Sequence, residues 1–158
     1  MEKIKIEIKW AIIFVVMMLV WMVLERVTGL HGKYIEYHPI VTNFVAIPAI
    51  IIYALALLNK RNTFYNGKMS WGQGFITGVV MTAFITVVSP LTQYLTSAVI
   101  SPDYFANVID YTVEQGKMTR EEAEGYFNLN NYIIQTVMFT PIMGIVTTAI
   151  VAVFTRKS

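Results

Sequence analysis

The sequence contains no cysteine and little charge. None of its 158 residues is cysteine, which excludes disulfides, lipid attachment through a thiol and thiolate metal sites. Charged residues make up 14% of the chain and hydrophobic residues 56%, whereas soluble domains have about 25% and about 45–50%. The net charge is only +2, and the basic residues flank apolar segments instead of forming one patch. This composition is typical of a membrane protein and gives no indication of nucleic-acid binding.

Four long apolar stretches take up about half of the chain. They predict spans at about residues 10–30, 39–59, 72–98 and 131–155. The stretches do not alternate between apolar and polar residues, which excludes a β-barrel. Because backbone groups in hydrocarbon must be satisfied within the segment, each stretch is predicted to be a helix. The expected fold is one all-α integral membrane domain, with four transmembrane helices in a compact bundle.

The first apolar stretch has the outline of a secretory signal peptide. Three lysines precede the run Trp10–Leu24, as in a basic n-region followed by an apolar core. The run ends in Glu25 and Arg26, however, and not in a small-x-small cleavage site. We therefore predict a retained signal anchor, with a helix that extends to Leu30.

Loop charges predict the orientation of the four spans. Basic residues lie at the N-terminus, in the loop after the second span and at the C-terminus: Lys3, Lys5, Lys9, Lys60, Arg61, Lys68, Arg156 and Lys157. The loop between the third and fourth spans is strongly acidic. Because cytoplasmic loops are enriched in Lys and Arg, we predict cytoplasmic termini and an acidic loop on the outer side.

Small residues recur every four positions in the last two spans. They are Gly74, Gly78, Thr82 and Thr86 in the third span and Thr140, Gly144 and Thr148 in the fourth. Small residues at this spacing let helix backbones approach closely, which drives helix association in a bilayer. We expect the two antiparallel spans to pack stripe against stripe. The alternative is a homodimer contact through Gly74 and Gly78.

The outer loop, at about residues 101–130, has helix signals of its own. Apolar side chains follow Pro102 at helical spacing as far as Gly116, and Thr119-x-x-Glu122 is a capping box. We expect two short amphipathic helices with acidic faces and aromatic undersides. They form either a solvated cap over the helix ends or a surface that docks a partner.

Each predicted span has one strongly polar side chain near its outer end. These side chains are Glu25, Asn43, Gln93 and Gln135. If all four face inward, they form a polar pocket in the outer leaflet. Ionisable groups inside a membrane are costly and mark functional sites, but residues this close to water are also ordinary interfacial polarity. Both interpretations stay open.

His31, Glu36 and His38 form a second polar group, in the first outer loop. Imidazoles and a carboxylate can bind zinc, but this spacing matches no known metal motif and the sequence has no third histidine. We therefore predict no metal site and no cofactor. Hydrolase, phosphate-loop and zinc-protease motifs are also absent, which disfavours an enzyme without excluding one.

Five segments resemble a family of small bacterial membrane proteins known as domain of unknown function 4199. They are residues 29–32, 35–40, 64–71, 89–93 and 116–119. The resemblance covers nearly the whole chain. It implies a four-helix protein of the bacterial inner membrane and supplies no activity, substrate or catalytic residue.

The sequence favours a non-catalytic structural or interaction protein, whose partners are the lipid bilayer and a second copy or another membrane protein. The alternative is a small, oligomeric transporter, or an ion- or lipid-handling protein, that uses the outer polar pocket. An enzyme acting at the membrane surface is the third class.

Overall fold

The computed structural model describes residues 4–157, and helices dominate this range; Lys3 of the orientation prediction lies outside it. The helices are α1 (Lys5–Val27), α2 (Ile35–Thr63), α3 (Trp71–Ile100), α4 (Tyr104–Glu114), α5 (Arg120–Tyr126) and α6 (Leu129–Thr155). The long helices α1, α2, α3 and α6 are each long and apolar enough to cross a membrane. No strand occurs between residues 4 and 157, so the described fold is all-α.

Side-chain caps explain where three helices begin. The Ser70 hydroxyl accepts a hydrogen bond from the Gln73 N–H, and the Gln73 side chain accepts one from the Ser70 N–H, so a capping box opens α3. Thr119 and Glu122 form the same reciprocal pair at the start of α5. The Asn128 side chain caps α6. Each cap satisfies backbone N–H groups that have no partner inside their helix.

The first helix ends earlier than the sequence predicts. It ends at Val27 and does not reach Leu30, because Gly29 adopts a left-handed conformation with φ of 85°. The Gly29 N–H donates to the Arg26 carbonyl and the Leu30 N–H donates to the Glu25 carbonyl, which is the hydrogen-bond pattern of a glycine-terminated helix. The chain therefore turns back over the end of α1 directly after Glu25.

α3 and α6 form the most extensive helix pair, and small residues lie between them. A Cβ atom on Gly78 would come within 2.3 Å of Thr148 Cγ2, and one on Gly144 within 2.3 Å of Thr82 Cγ2. A Cβ atom on Gly74 would lie 3.4 Å from that of Ala152. These residues are all buried, so contacts within one chain fill the space around this part of the two stripes.

The last turns of α3 are irregular. Pro90 lacks the N–H that would bond to the Thr86 carbonyl, and the Ser89 hydroxyl donates to that carbonyl instead, at 2.8 Å. At the end of the helix the Ser101 N–H bonds to the Thr96 carbonyl, a wider i to i+5 turn. Ser101 is thereby buried against the loop that follows α1.

The two ends of the bundle differ in chemistry. At one end Glu7 of α1 and Lys60 of α2 form a buried ion pair, with 2.8 Å between Oε1 and Nζ. At the same end Met69 and Lys157 pair through two backbone hydrogen bonds. We call this the basic end, because the predicted cytoplasmic loop and the described parts of both terminal segments meet there. The opposite end, which holds Glu25, is called the histidine end.

Candidate functional site

The histidine end brings one carboxylate and two imidazoles together. Glu25 lies in the last turn of α1 and is 2% exposed. Its Oε2 atom is 3.1 Å from His31 Nε2 and 3.4 Å from His38 Nε2, and its Oε1 atom accepts a hydrogen bond from Trp21 Nε1 at 2.6 Å. We call Glu25, His31 and His38 the Glu25 cluster. Among residues 4–157, the ion-pair partners of Glu25 are these two histidines.

A second layer of polar groups holds the outer nitrogens of the two imidazoles. His31 Nδ1 is 2.5 Å from the Ser101 hydroxyl, and His38 Nδ1 is 3.4 Å from the Tyr104 hydroxyl. The Asn107 side chain donates to the His31 carbonyl at 2.9 Å. His31 is thus held by Ser101, which directly follows α3, and by Asn107 of α4, whereas His38 is held by Tyr104 of α4.

Tyr104 remains a neutral hydroxyl in this layer. Burial raises the pKa of the Tyr104 hydroxyl well above its usual value. The group therefore keeps its proton, and it can donate that proton to the Tyr132 hydroxyl, 3.5 Å away, while it accepts from His38. The cluster thus consists of one carboxylate and two imidazoles, and the Tyr104 hydroxyl beside them is neutral.

Two neighbouring cavities lie toward the histidine end, and the first adjoins the cluster through His31 and His38. The first has a volume of about 170 Å³ and is lined by His31, His38, Thr42, Tyr104 and Gln93, among others. The second has a volume of about 180 Å³ and reaches Phe14 on α1 and Ile85 on α3. Met22, Gln93 and Thr96 line both cavities, so the two are neighbours along one path into the bundle. Ser89, Thr136 and Thr140 add hydroxyl groups to the deeper one.

The structure separates the four residues of the predicted polar pocket. Glu25 is the centre of the cluster, and Gln93 lines both cavities and bonds to Ser97 and Thr136. Asn43 is exposed, and its side chain donates to the Pro39 carbonyl. Gln135 is half-buried and lines neither of the two cavities.

The second predicted group also changes composition. His31 and His38 meet at Glu25, whereas Glu36 is exposed in the first turn of α2. Sequence reasoning assigned Glu25 and the histidines to two groups because it extended α1 past the turn. Gly29 is the signal that could have joined them, since a glycine after the last apolar turn predicts a helix end.

A serine, a histidine and a carboxylate joined in this order also occur in hydrolases. Here Ser101 is 4% exposed, and its hydroxyl contacts Nδ1 of a ring whose Nε2 faces the carboxylate. A nucleophile must reach its substrate, so this degree of burial favours a serine that orients His31.

Residues 9–157 match the family model described as "Protein of unknown function (DUF4199)", and the chain therefore belongs to that family. No curated protein and no solved structure matches the chain.

Proposed function

We propose that this family member is a multi-pass protein of the bacterial inner membrane that binds a small polar or ionic ligand, without catalysis, in a pocket open to the outer side. The observation that carries the proposal is the Glu25 cluster, in which a buried carboxylate meets two imidazoles that both line a cavity. Ionisable side chains within apolar helices are costly, and they mark ligand or ion pathways.

The charge distribution supports this orientation. Arg61, Lys68 and Lys157 gather at the basic end, and the Arg61 guanidinium donates to the Thr155 carbonyl there. Four crossings place both termini on one side, and the positive-inside rule assigns that side to the cytoplasm. The histidine end and the acidic helices α4 and α5 then face outward.

Packing inside the bundle is not uniform, which bears on transport. The two neighbouring cavities extend from the histidine end to about the middle of the bundle, whereas Gly78 and Thr148 pack closely nearer the basic end. A ligand can enter from the outer side in this arrangement. Its passage across the membrane would require a movement of α3 between Pro90 and the basic end. Because four helices enclose little volume, we propose that transport would involve a homo-oligomer.

The second candidate function is that of an interaction protein, and α4 and α5 favour it. Arg120 pairs with Asp110 at 2.8 Å and lies 3.8 Å from Glu124, which links the two helices on their exposed side. Glu114 and Glu121 are exposed as well. This acidic surface suits a basic segment of a partner protein.

Single cysteines test the proposed location of the pocket, because the chain has none of its own. Ser97 lines the first cavity, and Ser97→Cys changes only a hydroxyl to a thiol. Glu121→Cys on α5 is the control for the outer side, and Lys68→Cys at the basic end is the control for the cytoplasm. Spheroplasts are treated with a membrane-impermeant thiol reagent.

We expect the Ser97→Cys and Glu121→Cys variants to react in intact spheroplasts, and Lys68→Cys to react only after lysis. Reaction of Lys68→Cys before lysis would show that the orientation is the reverse of the proposed one. Protection of Ser97→Cys while Glu121→Cys reacts would show that the pocket is closed to the outer side and would overturn the proposal.

A further inference from the structure

We propose that the Glu25 cluster binds a divalent transition-metal ion of the zinc type through Glu25, His31 and His38. This inference rests on the proposed function, since it names the ligand class of the same pocket. Each of the three residues offers one ligand atom, and these atoms lie within 4.8 Å of one another. No other group of this kind is found among residues 4–157.

The two distances from Glu25 to the imidazoles fit ligands of one ion, and all three ligand atoms lie within 4.8 Å of one another. Ligands about 2.0–2.2 Å from a tetrahedral zinc ion are separated from each other by about 3.3 Å. Glu25 Oε2 lies 3.1 Å from His31 Nε2 and 3.4 Å from His38 Nε2. The second distance is long for an N–H···O hydrogen bond, whereas both are close to the separation of metal ligands.

The surrounding contacts match those of a metal site. Metal-binding imidazoles donate their other ring N–H to a polar partner, which fixes the tautomer and the ring orientation. Ser101 and Tyr104 supply that partner for His31 and His38, and Trp21 holds the second oxygen of Glu25. In each of the three ligand side chains, the polar atom that does not face the ion therefore has a hydrogen-bond partner that fixes its orientation.

The cavity beside the imidazoles leaves room for a fourth ligand of the ion. Three protein ligands are typical of sites at which a water molecule or another ligand completes the coordination. Both imidazoles line the 170 Å³ cavity, so an ion bound between them would be reached from that side. Two nitrogen donors and one carboxylate favour zinc, copper, nickel or cobalt over magnesium and calcium.

Calorimetry with zinc chloride tests the assignment on the full chain, purified in mild detergent and stripped with a chelator. The variants are Glu25→Gln and His38→Gln, and the latter changes a side chain that is already 17% exposed. Glu36→Gln is the matched control, because it removes the same charge from an exposed neighbour of the cluster. Thermal unfolding of each variant without zinc shows that it is folded.

We expect one zinc ion per chain, unaltered binding in Glu36→Gln and no competition from magnesium. Loss of an outer-shell partner costs about 10–100-fold in affinity, so loss of a ligand in either cluster variant is expected to cost more. Absence of zinc binding to the unmodified chain would overturn the inference. So would equal binding in all variants, or loss in Glu36→Gln alone. If zinc fails to bind while Ser97→Cys still reacts from outside, the outer pocket stands and only its ligand class is wrong.

Discussion

Helix α1 carries a buried carboxylate near each end, and the two have different surroundings. Glu7 faces the Lys60 ammonium, which also lies over the Phe64 ring with 4.2 Å to the centroid. Glu25 faces two imidazoles and an indole N–H. Glu7 thus has a fixed cation as its partner, while the partners of Glu25 can be neutral, protonated or bound to a metal.

This difference separates structural stabilisation from ligand binding. The buried ion pair joins α1 to α2 and pairs the Glu7 charge with the opposite charge of Lys60. When its two imidazole partners are neutral, the Glu25 carboxylate has no such opposite charge, and an incoming cation can supply it. The two imidazoles that face Glu25 line the first cavity, which gives a cation a route to them.

The largest effect is expected from Glu7→Ala. Removing one member of a buried ion pair leaves the other charge in an apolar site, which costs about 3–5 kcal/mol. Glu25→Gln should cost less stability, because both imidazoles can be neutral and still bond to the new amide. The free energy of unfolding, measured by SDS titration in mixed micelles, compares the two variants. A larger loss in Glu25→Gln would contradict the distinction.

The tight packing of the half near the basic end predicts a second effect. Gly78→Ala is expected to destabilise the protein by about 1–3 kcal/mol, because the added Cβ overlaps Thr148. Adding Thr148→Ala removes the two closest atoms and should restore part of the loss. Gly72→Ala on the same helix is the control, since a Cβ there meets nothing within 4 Å. SDS titration measures all three, and equal losses at both glycines would refute the close contact.

Two tryptophans of α1 sharpen the comparison further. Trp21 donates to Glu25, whereas Trp10 donates to the Asn59 side chain near the basic end, at 3.0 Å. Trp21→Phe should weaken zinc binding by about 10-fold, because the carboxylate loses the bond that orients it. Trp10→Phe should leave the affinity unchanged. Calorimetry decides between them, and an equal effect of the two variants would show that α1 responds as a whole.

The smallest effect concerns the pH dependence of α5. Hydrogen bonds from the Thr119 N–H and hydroxyl lower the pKa of Glu122. The cap therefore contributes stability above the unfolded-state pKa of Glu122, and this contribution is lost as the pH falls through the lower, folded-state value. The hydrogen-exchange protection factors of residues 120–126, which are corrected for the intrinsic pH dependence of amide exchange, should fall on acidification, and Glu122→Gln should remove this fall while keeping the cap. An unchanged pH profile in that variant would assign the effect to another group.

Regular patterns in the sequence were sufficient to predict the helices. Uninterrupted apolar runs leave helical structure as the way to satisfy the backbone, and the prediction of four helices that could span a membrane is confirmed. The family assignment from short segments is confirmed as well. The capping box at Thr119 and Glu122 is formed because its two side chains act locally.

The composition of the site was harder to predict, because its members come from separate parts of the chain. Glu25 meets His38 only because Gly29 turns the chain back, and Ser101 reaches His31 across 70 residues through the wide last turn of α3. Asn43 follows His38 by about one helical turn, but its side chain donates to the Pro39 carbonyl of the same helix. Residue type and depth therefore predict polar groups at this end of the bundle, whereas the direction of each side chain decides which of them lie beside the cluster.

X-ray absorption spectroscopy of the zinc-loaded protein tests the central claim most directly, since it reports the ligands of the ion itself. The account predicts nitrogen and oxygen ligands at about 2.0–2.2 Å, with the outer-shell scattering of two imidazoles. Glu25→Gln should abolish this spectrum and Glu36→Gln should preserve it. A spectrum without imidazole scattering, or one that Glu25→Gln leaves unaltered, would contradict the claim that the histidine end of α1 is a binding site.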